Sequence, residues 1–402
     1  MIERKEYLDF LVRSRDLELI KVVSGIRRCG KSTLFEIYRE YLLSIDIDED
    51  QIIYINFEDL DYDFLTSYKE LYNYIVDNLN KDKMNYIFLD EIQHIDQFER
   101  AVDSLYIKKN VDLYITGSNA YFMSGELATL LSGRYIELRM LPLSFSEYCL
   151  GETSNKSVSQ KYLNYLVNSS FPYTLQISDN RKVLRDYLEG IYNTVLLKDV
   201  VARNKITDVM MLEDVTKFLF DNIGNITSPT KIANTLTSNG RKVDQKTIEK
   251  YIKALEKSLV IYKANRYNIK GKKYLKTLGK YYVVDIGLRY MLLGQRNTDV
   301  GYILENIVYL ELLRRGYDVY VGQVDGLEVD FVAMNDEGLK YFQVSATVRD
   351  ENTLKRELAS LQKIDDNYPK YLLTLDEDPD SDYNGIRKIN ALKFLLDTKY
   401  FG

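Results

Sequence analysis

Short apolar runs that alternate with amphipathic stretches dominate the first 140 residues of the chain. The runs of strand length lie at 20–23, 51–57, 86–90, 112–116 and 135–140. After the first run, apolar residues recur at i, i+3, i+4, i+7 and i+8, namely at Leu34, Ile37, Tyr38, Tyr41 and Leu42. This spacing predicts a helix, and further amphipathic helices are predicted at 1–16, 68–79 and 127–131.

The pattern changes after residue 150. Residues 151–180 are polar and turn-rich, which indicates a boundary, and helical periodicity resumes over 183–201. Three helices and a hairpin are then predicted, at 211–223, 228–237, 244–258, 259–265 and 280–285. Ser228 and Asp244 are N-cap signals, and Gly240 ends the middle helix. Helix-turn-helix followed by a hairpin is typical of a winged helix.

The last hundred residues mix both patterns. A helix is predicted over 301–315, where Gly316 stops it. Strands are predicted at 318–322, 328–333, 341–345 and 371–375, with helices at 353–361 and 389–396. We therefore divide the chain into four segments, 1–150, 151–204, 205–292 and 293–402, of which the first and last are α/β.

The composition is that of a soluble globular protein, with 46% hydrophobic and 28% charged residues. No apolar run approaches the roughly 18 residues that span a membrane, and the charged N-terminus lacks a secretory signal, so we expect a cytoplasmic protein without a membrane partner. Two cysteines and one histidine exclude a disulfide framework and a zinc site. The net charge is −6, yet residues 231–290 hold fifteen Lys or Arg against four Asp or Glu. This basic island needs a local explanation.

The first strand leads into a phosphate-binding motif. Gly25-x-x-x-x-Gly30-Lys31-Ser32 fits the P-loop pattern, between a strand and a helix as the motif requires. Lys31 would reach the β- and γ-phosphates of ATP, and the Ser32 hydroxyl would bind Mg²⁺. The alternative is a glycine turn that caps a helix. The predicted nucleotide-binding residues are Gly25, Ile26, Arg27, Arg28, Cys29, Gly30, Lys31, Ser32 and Thr33.

Two later strands end in polar residues that could complete a hydrolytic site. After a P-loop, a buried strand that ends in Asp90 and Glu91 is typical of a Walker B segment: Asp90 would hold Mg²⁺, and Glu91 would act as general base. The strand at 112–116 ends before Ser118 and Asn119. Ser118 or Asn119 could contact the γ-phosphate or the attacking water, although an Asx turn is also possible.

Four further stretches carry a resemblance. DEIQ, TGSNA, LSGRYIEL and PLSFSEY together resemble the AAA+-type prokaryotic ATP-binding proteins that carry a C-terminal domain of unknown function. The resemblance covers nearly the whole chain. It implies a five-stranded parallel sheet with the P-loop strand at its centre. It also implies that Arg134 is an arginine finger or sensor, in cis or across a subunit boundary, with a structural ion pair as the alternative.

The basic island includes the helix predicted at 244–258, which is the second helix of the helix-turn-helix. Apolar residues of this helix face the core, at Ile248, Tyr251, Ile252 and Leu255, and lysines cover its outer face. We predict DNA binding through the phosphate backbone, without sequence specificity, because lysine far outnumbers the residues that read bases. A solvated face or a protein contact would look similar. The predicted DNA-binding residues are Arg241, Lys242, Lys246, Lys250 and Lys253.

The C-terminal segment resembles PD-(D/E)XK nucleases in layout. Glu305 on the helix, Asp330 in EVDF and Gln343 in QVS fall where those enzymes place their site residues. The second carboxylate is replaced by Gln343 and the lysine by Ser345, although Glu328 or Arg349 could compensate. Metal catalysis depends on its ligands, so we predict a restriction-endonuclease-like domain that does not cleave.

The sequence thus predicts an AAA+-type ATPase that hydrolyses ATP with Mg²⁺ and couples nucleotide state to DNA, as a homo-oligomer. Two alternatives remain at this point. One is a nucleotide-dependent switch that recruits a protein partner, and the other is an ATP-regulated nuclease.

Overall fold

The computed structural model describes residues 2–117, 131, 133–295 and 299–397, without the side chains of 197, 198, 276 and 277. The chain forms two compact units. One comprises Met1–Pro142 with Lys257–Leu259, and the other comprises Leu143–Glu256 with Val260–Gly402. Within the described ranges, no helix has the length and apolar character needed to cross a membrane.

A five-stranded parallel sheet forms the centre of the first unit. Its strands are β1 (Ile20–Gly25), β2 (Ile52–Asn56), β3 (Asn85–Asp90), β4 (Val111–Thr116) and β5 (Tyr135–Met140). The order is β2-β3-β4-β1-β5, and every pair is parallel. The five parallel strands confirm the prediction, but the position of the P-loop strand was wrong. Because β4 lies between β1 and β3, β4 is the central strand, and β1 is one place from the edge.

Helices pack against the sheet because alternate residues of each strand point to opposite faces. The helices of this unit are α1 (Lys5–Ser14), α2 (Lys31–Ser44), α3 (Tyr68–Asp77) and α4 (Phe98–Tyr106), with short 3-10 turns at Glu49–Gln51, Leu60–Tyr62 and Ile92–His94. On one face, α3 and α4 pack on Ile87 and Leu89 of β3. On the other face, Phe35 of α2 packs edge-on against Phe88, with ring centroids 5.1 Å apart. The P-loop helix is therefore fixed against the strand that carries Asp90.

The second unit begins with helices. They are α5 (Phe145–Gly151), α6 (Val158–Asn168), α7 (Thr174–Ile177), α8 (Arg181–Thr194), a π-helix (Val195–Ala202), α9 (Val209–Asp221), α10 (Pro229–Ser238) and α11 (Gln245–Lys257). Ser228 caps α10 through a bond from the Lys231 N–H, and Asp244 accepts from the Thr247 N–H before α11. Gly240 has a φ of 92°, as expected for a helix stop. Three helices before a hairpin are thus confirmed.

An eight-stranded sheet completes this unit, in the order β12-β13-β11-β10-β9-β8-β6-β7. Its strands are β6 (Ile261–Asn268), β7 (Lys273–Val283), β8 (Asp318–Val324), β9 (Leu327–Asn335), β10 (Gly338–Ser345), β11 (Lys370–Thr374), β12 (Ser381–Tyr383) and β13 (Ile386–Asn390). The associated helices are α12 (Ile286–Leu293), α13 (Val300–Arg314), α14 (Glu351–Gln362) and α15 (Ala391–Leu396).

The hairpin expected to serve as the wing is the edge of this sheet. β6 pairs antiparallel with β7, and it also pairs parallel with β8 through Arg266↔Val321 to Asn268↔Gln323. The boundary predicted between 292 and 293 therefore falls inside one hydrogen-bonded sheet. The sequence did not reveal this because parallel pairing between β6 and β8 joins residues about fifty positions apart.

Candidate functional site

The loop between β1 and α2 has a backbone that only glycine accommodates at two points. A Cβ on Gly25 would lie 2.5 Å from the carbonyl oxygen of Met140 and 2.7 Å from the Cys29 sulfur. Gly30 has a φ of 103°, in the left-handed region, and directly precedes α2. Gly25 and Gly30 of the motif therefore allow the tight turn that leads into α2. Backbone N–H groups at the start of this helix attract anions.

Lys31 points back over this loop and lies beside the predicted base. Its Nζ donates to the carbonyl oxygen of Gly25 at 3.3 Å and lies 3.5 Å from Glu91 Oε1. Both residues are buried. Burial alone would raise the pKa of the Glu91 carboxyl, but Lys31, with help from Gln93 and Arg27, lowers it below its usual value. Glu91 is therefore held as a carboxylate, the form that accepts a proton.

Thr116, which the sequence analysis missed, links the two carboxylates of the Walker B segment. Its hydroxyl donates to Asp90, and the same oxygen accepts the Glu91 N–H at 2.9 Å. Glu91 has a φ of 56°, so this bond holds a left-handed backbone that a glutamate rarely adopts. The Tyr54 hydroxyl donates to the second Asp90 oxygen at 3.1 Å. The one signal for Thr116 was a polar residue at the end of a buried strand.

Other loop residues divide between structure and surface. Cys29 and Ile26 are fully buried, and the Arg4 guanidinium donates to the carbonyl oxygen of Cys29 at 3.0 Å. Burial raises the pKa of the Cys29 thiol. Arg28 is exposed, whereas Ser32 and Thr33 are half-buried in the first turn of α2. Arg27 reaches the next loop, with its Nη1 3.5 Å from Glu58 Oε1.

These residues fit a nucleotide with Mg²⁺. Lys31 and the start of α2 supply positive charge, while Ser32 and Asp90 supply the oxygen ligands that Mg²⁺ prefers. No cluster of three His, Cys, Asp or Glu side chains suited to a metal occurs among the residues that the structure describes. Mg²⁺ bound with a nucleotide needs only one or two protein carboxylates, since phosphates and water fill the other positions.

The structure describes only one of the two remaining predicted catalytic residues, Asn119 and Arg134. Asn119 lies outside the described residues. Arg134 precedes the first pair of β5 with β1, Tyr135↔Ile20, whereas the P-loop follows the last pair, at Gly25. The strand between them is about 20 Å long at 3.3 Å per residue. Arg134 is exposed, and its guanidinium lies 5.4 Å from the centroid of the Tyr106 ring. Within one chain Arg134 therefore lies far from the P-loop, which leaves a contact across a subunit boundary or a structural role among the alternatives stated for it.

The lysine face of α11 is present as a surface. Lys242, Lys246, Lys250 and Lys253 are exposed, and the four predicted core residues are buried. Arg241 instead forms an ion pair with Asp214, with an Nη1–Oδ2 distance of 2.9 Å. Two members of the basic island, Lys280 and Arg289, are only 3% and 1% exposed and do not belong to the surface.

The nuclease-like residues do meet, and a lysine lies among them. Lys280 Nζ on β7 is 2.8 Å from Glu305, 2.7 Å from Glu328 and 3.3 Å from Asp330. Gln343 accepts the Asp330 N–H at 3.3 Å and donates to Glu357 at 2.8 Å. Sequence reasoning missed Lys280, whose signal was a cation directly before the apolar run at 281–284. We call Lys280, Glu305, Glu328 and Asp330 the lysine–carboxylate cluster.

Charge and burial have opposite effects on the pKa values of Lys280 and Glu305 in this cluster. Burial alone would lower the pKa of Lys280, but the three carboxylates raise it well above its usual value. Burial also raises the pKa of the Glu305 carboxyl to about 7, against the opposing effect of Lys280. The Tyr282 hydroxyl donates to Glu305 at 2.6 Å. The lysine thus takes the place among these carboxylates that a cation would need.

The fold and the P-loop geometry define the first unit as a nucleotide-binding domain of the AAA class. A family model described as an AAA domain matches residues 18–149, and a domain of unknown function (DUF8612) matches residues 159–299. The Walker-type ATPase PABY2304 of Pyrococcus abyssi has the same fold in part: the TM-score is 0.50 at 16% identity, over 73% of this chain and 96% of that one.

Two relatives extend the match to nearly the whole chain. An uncharacterized protein of Haemophilus influenzae is 39% identical over 400 residues, which cover 98% of this chain and 99% of the relative. The uncharacterized protein MJ1544 of Methanocaldococcus jannaschii is 31% identical over 385 residues, 88% of this chain and 81% of the relative. The chain belongs to the same family as these two proteins, and its own residues 18–149 match the AAA domain.

Proposed function

We propose that the protein hydrolyses ATP at the P-loop, with Mg²⁺, and couples this reaction to DNA bound by the second unit. One observation carries the hydrolysis proposal. Glu91 is a buried carboxylate held 3.5 Å from the P-loop lysine by a backbone that Thr116 fixes. A site that only bound nucleotide would not need a general base kept ionised at this position.

Each residue has a separate task in this proposal. Lys31 neutralises the β- and γ-phosphates, and the N–H groups at the start of α2 bind their oxygens. Glu91 orients the attacking water and accepts its proton. Mg²⁺, held by Ser32 and Asp90, would neutralise charge that develops on the phosphate oxygens. Thr116 keeps Asp90 and Glu91 in fixed relative positions.

Two substitutions separate binding from hydrolysis. Glu91→Gln removes the proton acceptor but retains the shape and the polar contacts, so we expect ATP to bind and hydrolysis to fall at least about 100-fold. Lys31→Ala removes the phosphate contact, so we expect ATP binding itself to be lost. The measurements are nucleotide binding by calorimetry and phosphate release. Normal turnover by Glu91→Gln would contradict the assignment of the base.

The DNA part of the proposal is supported by the exposed lysine face of α11. Charge reversal of Lys246, Lys250 and Lys253 should weaken DNA binding at least about tenfold. It should also reduce the dependence of binding on salt, because a protein that makes fewer phosphate contacts releases fewer counterions when it binds. The control is charge reversal of three exposed lysines elsewhere in the second unit, Lys182, Lys355 and Lys363. Equal binding by both triple variants would refute a specific role for α11.

A second candidate function is a nucleotide-dependent switch for a protein partner. Loop 58–64 contacts the P-loop through Arg27 and Glu58, and it exposes Leu60 and Phe64, with 83% and 57% of their surface accessible. Exposed apolar residues on a loop tied to the nucleotide site suit a protein contact. ATP turnover that DNA does not change, together with a co-purifying protein that Leu60→Ser releases, would favour this function over DNA coupling.

We further propose that the lysine–carboxylate cluster does not cleave DNA. The Lys280 ammonium occupies the position among Glu305, Glu328 and Asp330 that a metal ion would need, and Gln343 donates to Glu357. Divalent cations should therefore produce no nicking of supercoiled DNA. Metal-dependent nicking that Asp330→Ala abolishes would contradict this proposal and favour a nuclease.

A further inference from the structure

A group of tyrosines lies on the last three strands of the eight-stranded sheet, β8, β6 and β7. Tyr274 is on the edge strand β7, directly opposite Tyr267 of β6 in the antiparallel register. The ring centroids of Tyr267 and Tyr274 are 5.4 Å apart, and those of Tyr274 and Tyr320 are 5.1 Å apart. We call Tyr267, Tyr274 and Tyr320 the tyrosine patch.

The patch has a buried base and an exposed top. Tyr267 is 9% exposed and belongs to the core that packs under α14, so it anchors the group. Tyr274 is 61% exposed, which leaves a ring surface open to solvent. Tyr368, 49% exposed, lies on the same flank: after burial and Tyr274, its nearness raises the pKa of Tyr267. A large aromatic ring held in place by two others while exposed needs an explanation, because burying it would stabilise the fold.

Three lysines precede the exposed ring along the chain. Lys270, Lys272 and Lys273 occupy the turn and the first position of β7, directly before Tyr274, and all three are exposed. Lys270 is paired with Asp325, at 2.6 Å. No ion pair joins Lys272 or Lys273 to any residue that the structure describes. The combination is an aromatic surface with adjacent cations that are available to phosphate.

We propose that the tyrosine patch stacks the bases of single-stranded DNA while Lys272 and Lys273 contact its phosphates. This inference rests on the proposed coupling to DNA and specifies which form of DNA is bound. Bases of a duplex are stacked on one another, so an exposed ring can stack only on bases that are unpaired. The charge favours this occupant over an apolar protein segment, because such a segment would gain nothing from the two lysines.

Base stacking and phosphate contacts differ in how their contribution to affinity depends on salt concentration. Base–aromatic stacking involves no counterion release, whereas each phosphate contact on a single strand contributes about 0.7 to the salt slope. Loss of the Tyr274 ring should therefore lower affinity at every salt concentration by a similar factor. Loss of the lysines should instead flatten the salt dependence.

The test uses the full chain and a fluorescently labelled 20-nucleotide DNA of mixed sequence, either as a single strand or in a duplex. Fluorescence anisotropy measures the affinity for each form over a series of salt concentrations. We expect tighter binding of the single strand. Tyr274→Leu, which retains volume without the π-face, should weaken it on the order of tenfold with an unchanged salt slope, and Tyr274→Phe should bind normally. Tyr173→Ala is the control, since Tyr173 is 49% exposed, compared with 61% for Tyr274, and its ring centroid lies 5.2 Å from that of Tyr187.

The outcomes separate this inference from the proposal on which it rests. If Tyr274→Leu, Tyr274→Phe and the wild type bind the single strand equally, and charge reversal in α11 still abolishes binding, the proposed role of the tyrosine patch is wrong. The proposed coupling to DNA would then remain intact. A wild-type chain that binds neither strand form would overturn both. Binding reduced equally by Tyr274→Leu and Tyr173→Ala would show that the patch has no specific role.

Discussion

At the scale of single residues, one threonine hydroxyl connects the metal-binding and proton-accepting parts of the candidate site. Thr116 donates its hydrogen to Asp90 and accepts the N–H of Glu91. All three residues are buried, so an unpaired polar group here would cost about 1–3 kcal/mol. The position of Glu91 relative to Lys31 therefore depends on a residue that does not itself contact the phosphates in the proposed mechanism.

Replacement of Thr116 by valine tests this role. The isosteric side chain keeps the packing and removes both hydrogen bonds, so we expect ATP binding to persist and turnover to fall on the order of tenfold. Thr116→Ser retains the hydroxyl and should restore most of the rate. Equal turnover in the valine and serine variants, measured by phosphate release, would show that Thr116 only fills space.

Motif residues were predictable at this scale, and their supporting residues were not. The P-loop spacing identified Gly25, Gly30 and Lys31 because their chemistry depends on order along the chain. Thr116 and Arg4 act through neighbours that only the folded sheet provides. Cys29 is a further example, because its place in the loop did not reveal that the side chain is fully buried and that burial raises the pKa of the thiol.

At the scale of elements, the lysine–carboxylate cluster joins β7, α13 and β9. Lys280 is 3% exposed and binds a carboxylate from α13 and two from β9. Removing one partner of a buried ion pair leaves an uncompensated charge. The cluster therefore fixes the edge hairpin to the rest of its sheet, which the prediction of a separate wing did not include.

The raised pKa of Glu305 makes the stability of this unit depend on pH. The folded protein binds a proton at Glu305 up to about pH 7, whereas the unfolded chain releases it near 4.5. Protonation thus favours the folded state, and this contribution declines as pH rises from about 4.5 to 7, by on the order of 3 kcal/mol at most. Lys280 remains charged throughout this window because its pKa is raised.

Glu305→Gln should remove that dependence. We expect the free energy of unfolding of the wild type to fall relative to the variant between pH 5 and pH 8, as measured by urea denaturation. Glu351→Gln serves as control, because Glu351 is an exposed carboxylate on α14. Parallel curves for the wild type and Glu305→Gln would mean that Glu305 titrates normally.

Local patterns predicted the existence of most elements but not how distant strands pair. Capping signals at Ser228 and Asp244 were confirmed because a cap acts over three residues. The central place of β4 in the first sheet and the β6–β8 pairing in the second join segments far apart in the chain. Hydrophobic periodicity records which residues are buried, and it carries little information on which strand lies beside them.

At the scale of the whole molecule, a role for Arg134 in hydrolysis would require assembly. Its strand start lies about 20 Å from its own P-loop, so a role in hydrolysis requires the nucleotide site of another copy. Arg134→Ala should then bind ATP without hydrolysing it. Mixing it with Lys31→Ala should restore part of the rate. The Arg134→Ala copy supplies an intact P-loop, and the Lys31→Ala copy beside it supplies Arg134. No recovery on mixing, or full activity of Arg134→Ala alone, would contradict a role across a subunit boundary.

The central claim is that ATP hydrolysis at Lys31 and Glu91 is coupled to DNA in the second unit. The most direct measurement is the steady-state ATPase rate of the purified full chain with and without DNA, beside the triple charge-reversal variant at Lys246, Lys250 and Lys253. We predict a basal rate that DNA raises several-fold in the wild type and leaves unchanged in the variant. A wild-type rate that does not respond to DNA would contradict the account.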